Sequence, residues 1–95
     1  MVQQDNDDKR GRFYIKQDDE FIARMEYVYA GPEKFIIEHT EVDPNHEGKG
    51  LAKQLLTAAV QFARENDMKI IPLCPYTNAS FHKNPDEYKD VWFGR

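Results

Sequence analysis

Gly48 and Gly50 stand one residue apart where an alternating apolar pattern gives way to a helical one. A helix N-terminus leaves up to four amides without an intrahelical acceptor and carries positive potential from its dipole. Glycines there remove the side chains that would hold a phosphate away. The backbone of Glu47, Gly48, Lys49, Gly50, Leu51 and Ala52 is therefore a candidate pyrophosphate cradle, with Lys49, Lys53 and His46 adding charge. An ordinary tight turn is the competing reading. The sequence lacks a Gly-x-x-x-x-Gly-Lys-Ser/Thr loop, and no third glycine completes a dinucleotide Gly-x-Gly-x-x-Gly pattern.

The other reactive candidates are Cys74 and His39. A thiolate is a nucleophile and an imidazole a base near neutral pH, but a lone cysteine closing an apolar strand is most often inert and buried. His39, His46, His82 and Cys74 have none of the spacings of a zinc site, so no metal is expected.

These residues need elements to position them. Residues 1–11 read as a disordered tail and residues 12–95 as a single domain. Phe13-Tyr14-Ile15 forms a strand closed by the turn Gln17-Asp18-Asp19. Phe21, Ala23, Met25, Tyr27 and Tyr29 then alternate along one face of a second strand. After a turn at Ala30-Gly31-Pro32-Glu33, a third strand runs from Phe35 to Val42, with Phe35, Ile37, His39 and Glu41 sharing a face. Leu51, Leu55, Ala59, Phe62 and Ala63 recur at helical spacing, which predicts a helix over about 49–66. A fourth strand over 69–74 carries Pro72, which places it at a sheet edge or bulge. A short helix over 78–83 and a last turn over 87–93 complete a β-β-β-α-β-α order. That is an α+β chain with a mixed sheet, the third and fourth strands lying parallel across a helical crossover.

A net charge of −4 argues against nucleic acid as the main partner, because phosphate backbones need a basic face. With one cysteine no intramolecular disulfide can form, which favours a reducing compartment. No apolar run is long enough to span a bilayer, and the polar start is unlike a secretory signal. The expectation is a cytoplasmic protein without a membrane partner, present as a monomer or weak dimer.

Gly48-Lys49-Gly50-Leu51-Ala52 on a strand–loop–helix resembles the acetyl-CoA signature of the GCN5-related N-acetyltransferases, Gln/Arg-x-x-Gly-x-Gly/Ala, with Asn45 at the Gln/Arg position. His39-Thr40-Glu41-Val42, the glycine loop, Pro72-Leu73-Cys74-Pro75-Tyr76 and Asn84-Pro85 together resemble a very small single-domain branch of that family over about residues 12–92. The resemblance implies a minimal acetyltransferase fold whose glycine-loop amides hold the pyrophosphate of acetyl-CoA. It also implies a cleft in which the Val42 backbone polarises the acetyl carbonyl, with Glu41 beside it. Tyr76, Asn78 and Phe81 would line the pantetheine channel, with ordinary helix packing as their alternative.

His39 and Cys74 are the implied reaction centre. His39 would deprotonate Cys74 or the incoming amine, and Cys74 would accept the acetyl group or simply line the site. The expected function is transfer of acetyl from acetyl-CoA to an amine, a small molecule or peptide that the sequence does not identify. The alternative is a coenzyme A or acyl-CoA binding module with little turnover.

Overall fold

The computed structural model describes residues 1–94. Five strands form one sheet in sequence order: β1 (Gln3–Asn6), β2 (Arg10–Gln17), β3 (Glu20–Tyr29), β4 (Lys34–Val42) and β5 (Lys69–Pro72). The first three pairings are antiparallel and β4–β5 is parallel, joined through helix α1 (Leu51–Glu65). Two helices follow, α2 (Pro75–Lys83) and α3 (Pro85–Tyr88). This is the expected α+β mixed sheet, with one strand and one short helix more than the pattern predicted.

The added strand corrects the reading of residues 1–11 as a disordered tail. Every residue of β1 is exposed, so no apolar alternation announces it. It is held by polar contacts from far along the chain: the Tyr27 hydroxyl accepts from Gln4 Nε2 at 2.8 Å and Asn6 Nδ2 at 2.9 Å. Asp7 turns the chain back into β2, its Oδ1 accepting from the amides of Lys9 and Arg10.

The β2–β3 turn needs two left-handed residues, and Asp18 and Asp19 supply them at φ 53° and 65°. Asp tolerates that region better than most residues, which suits a two-residue hairpin loop. Phe13, Ile15, Ala23, Met25, Tyr27, Phe35 and Ile37 then project from one sheet face. Against them α1 packs Leu51, Leu55, Leu56, Ala59, Val60 and Ala63.

Two bulges reset the alternation. One between Ile15 and Lys16 places Phe21 opposite Lys16, so its ring stacks edge-on with Tyr14 at 5.1 Å instead of joining Ala23 and Met25. The other pairs Glu26 with His39 but Tyr27 with Ile37, leaving Glu38 as the extra residue. Thr40 and Val42, opposite Met25 and Ala23, therefore share the core face with Phe35 and Ile37. His39 and Glu41 move to the other face, against the simple alternation expected for this strand. The outer edge of β5 is covered by the chain's end, where Ile70 N donates to Val91 O and Phe93 N to Ile70 O.

Candidate functional site

The parallel ladder stops early. Lys34–Ile37 pairs with Lys69–Pro72, Cys74 N donates to Ile37 O at 2.8 Å, and the chain then departs into α2. Strand β4 runs on to Val42, so a cleft opens between its last residues and the start of α2. Asp43 N donates to Ile22 O across the β3–β4 ladder. Alternation from that bond turns the amides of Thr40 and Val42 away from β3 and into the cleft.

Beyond Val42 a single 3₁₀ turn, Pro44–His46, leads to the glycine loop. Gly48 (φ 83°) and Gly50 (φ 74°) are both left-handed, and a Cβ on either would meet nothing within 4 Å. Packing thus does not require these glycines; the left-handed backbone of the turn favours them. Gly50 is the N-cap of α1 and no side chain caps the helix, which leaves its first amides facing outward. Lys49 Nζ lies 3.0 Å from His46 Nδ1 at the rim. Lys53 points instead to the Tyr88 hydroxyl, 3.3 Å away. Leu51 has its side chain in the core, so only its backbone faces the loop.

Cys74 stands at the fork of the cleft, two residues past the end of β5 and at the N-cap of α2. Pro75 at the first helical position suits the fixed φ of proline and explains why the helix starts there, earlier than the expected residue 78. The thiol is 2% exposed and donates to Thr40 Oγ1 at 3.1 Å. Burial pushes its pKa up. The Thr40 hydroxyl, the Thr77 and Tyr76 amides and the Thr77 hydroxyl outweigh that and bring it below the ordinary cysteine value.

The structure does not bring His39 to Cys74. The bulge puts the imidazole on the opposite sheet face, its Nε2 3.7 Å from Glu41, whose carboxylate also pairs with Arg24 at 3.2 Å. A concavity of about 490 Å³ lined by Phe21, Arg24, Glu41, Val42 and Pro44 opens at this end of the sheet. Tyr76 is half-buried, and Asn78 donates through Nδ2 to Pro72 O at 3.2 Å, bracing α2 against β5. Phe81 is fully buried, stacked on Tyr88 at 4.5 Å, so its ring belongs to the core and not to a channel wall. Thr40 and Thr77 are the residues that sequence reasoning passed over. The N-cap-to-N3 spacing from Cys74 is a signal for Thr77, and nothing in the alternation of β4 singles out Thr40. Among the described residues no cluster of His, Cys, Asp and Glu could hold a metal, and no helix is long and apolar enough to cross a membrane.

Residues 12–91 match the family described as GCN5-related N-acetyl-transferase. The chain belongs to that family. Of the curated relatives, Protein NATD1 of Gallus gallus is 33% identical over 85 residues, covering 88% of this chain and 77% of its own. Its Xenopus tropicalis counterpart is 32% identical over 85 residues, covering 88% and 78%. A GCN5-like protein of Staphylococcus aureus, solved by NMR, superposes with a TM-score of 0.75 at 31% identity, covering all of this chain and 89% of that one. A ribosomal-protein-alanine N-acetyltransferase from Brucella melitensis shares the fold at a TM-score of 0.68 and 20% identity, covering 82% and 62%. The end of β4 both borders the cleft and leads, through residues 43–50, to the uncapped glycine loop.

Proposed function

We propose that this GCN5-related chain transfers the acetyl group of acetyl-CoA to an amine through the cleft between β4 and β5. The observation that carries the reading is the Cys74 thiol at the fork of that cleft, 3.1 Å from the Thr40 hydroxyl on the strand that leads to the glycine loop. In this reading the glycine-loop amides take the pyrophosphate, and Tyr76 and Asn78 flank the pantetheine arm. The acetyl carbonyl lies against the Val42 amide, which stabilises the charge developing on its oxygen.

The Cys74 thiolate attacks the acetyl carbon, a new C–S bond forms, and the bond to the coenzyme's sulphur breaks. The coenzyme leaves as a thiolate and takes up a proton from solvent. An incoming amine then attacks the acetyl-cysteine, the Cys74 thiolate is regenerated, and the amine's proton passes to a base. His39 lies with Glu41 on the opposite sheet face, too far round the sheet to serve Cys74 or an amine attacking there. In this reading the attacking amine's proton therefore passes to solvent and not to His39.

Intact-protein mass spectrometry after mixing with acetyl-CoA tests the scheme, alongside Cys74→Ser. One acetyl adduct, absent in the variant and discharged by added amines, is expected. An adduct that no amine removes would sink the transfer step. The open acceptor face favours a second reading, a coenzyme A binding module. That reading predicts retained coenzyme A with neither an adduct nor thiol release.

A further inference from the structure

Thr77 is fully buried, yet its hydroxyl has no hydrogen-bond partner among the described residues. A buried hydroxyl left idle is costly, and such a group calls for an explanation. Its position supplies one. Thr77 is the third residue after Cys74, at the N3 site of the nine-residue helix α2, where an N-cap side chain and the N3 residue face each other. From the other side Thr40 Oγ1 reaches the same sulphur at 3.1 Å. No side-chain cap closes on α2, so its first amides are also left turned toward the sulphur.

We propose that Thr77 is a positioning residue for Cys74: its hydroxyl, opposite that of Thr40, donates to the sulphur once Cys74 ionises. In the thiol state the S–H donates to Thr40 Oγ1 and Thr77 has nothing to bond. On ionisation Cys74 becomes an acceptor. The Thr40 hydroxyl rotates to donate, and Thr77 gains the partner it lacked. The buried hydroxyl is thus placed for the thiolate and not for the thiol.

Among the described residues no ionised side chain is placed to do the same work. His39 and Glu41 of β4 lie on the other sheet face, and Lys53 of α1 is engaged with Tyr88. On α2 itself, His82 bonds Asn78 O, and with Lys83 it sits at the far end of the helix. The lowered thiol pKa, with both threonines among its causes, agrees with this arrangement.

The inference rests on Cys74 acting as a nucleophile, but its test does not need the coenzyme. Thiolate absorbance near 240 nm is followed against pH in the wild type and in Thr77→Val, each corrected with the matching Cys74→Ser background. Losing one hydrogen bond to a charged sulphur should move the midpoint up by about one pH unit. Thr77→Ser should stay near the wild type. A wild-type midpoint in folded Thr77→Val overturns the proposal. Should that variant not fold, Thr77→Ser and Thr77→Ala differ by one hydroxyl at the same site, and equal midpoints in that pair overturn it as well. An altered midpoint with no acetyl adduct would retire the transfer scheme and leave the role of Thr77 standing.

Discussion

Replacing Gly48 by alanine separates backbone strain from ligand exclusion, because Gly31 offers a matched control. Both residues are left-handed, at φ 83° and 93°, and a Cβ on either meets nothing within 4 Å. Each alanine therefore costs only the strain of the left-handed region, about 1–2 kcal/mol. For a domain of 95 residues each kcal/mol corresponds to roughly 4–8 °C in Tm, so both variants should melt about 4–16 °C lower. Gly31 lies in the β3–β4 turn, away from the cleft, whereas Gly48 lies beside the uncapped helix. Coenzyme A at 100 times its wild-type Kd should stabilise the wild type and Gly31→Ala by about 2.7 kcal/mol. If the new methyl costs tenfold in affinity, Gly48→Ala should gain only about 1.4 kcal/mol. The assay is a thermal melt of all three proteins with and without coenzyme A. Equal ligand-induced shifts in the two variants would refute the cradle and return the loop to a simple turn.

Tyr27→Phe removes the acceptor shared by Gln4 and Asn6, and should cost about 1 kcal/mol and speed hydrogen exchange in β1 more than elsewhere. In Gly11→Ala the added Cβ would sit 2.5 Å from the Tyr27 hydroxyl and from Asn6 Cβ, so overpacking should lower stability by about 1–3 kcal/mol in urea unfolding. The Arg64 guanidinium holds the Asp90 carboxyl below its usual range, so this pair's contribution is full above about pH 4 and is lost as pH falls through the depressed native value. Both partners are largely exposed, so Asp90→Asn should cost under about 1 kcal/mol at pH 7 and less at pH 2, as measured by denaturation at the two pH values.

The hairpin turns, α1 and the parallel crossover were readable because each rests on local chemistry: the paired aspartates at 18 and 19, the turn at Gly31-Pro32, and the apolar stripe from Leu51 to Ala63. What was not readable depends on contacts far apart in sequence. Strand β1 has no apolar residue, and its anchors are tyrosine hydroxyls more than twenty positions away. The bulges insert one residue each, and periodicity alone cannot say where a strand changes phase. That single step at Glu38 separated His39 from Cys74 and set Thr40 in its place. Cys74 stands out in the sequence as a chemical candidate, but its setting at a helix N-cap does not, because a pattern of apolar residues does not mark the last residue of a strand.

The parting of β4 from β5 also bears on solubility. A sheet normally leaves unpaired amides and carbonyls at its two outer strands, and proteins protect those margins. Here the β5 margin is covered by residues 91–93 and the β1 margin is polar throughout, but the parted strands expose a third margin within the sheet. Any extended, amide-bearing ligand lodged there completes the ladder. The expected consequence is that a ligand in the cleft lowers any tendency of the open margin to pair with a second copy.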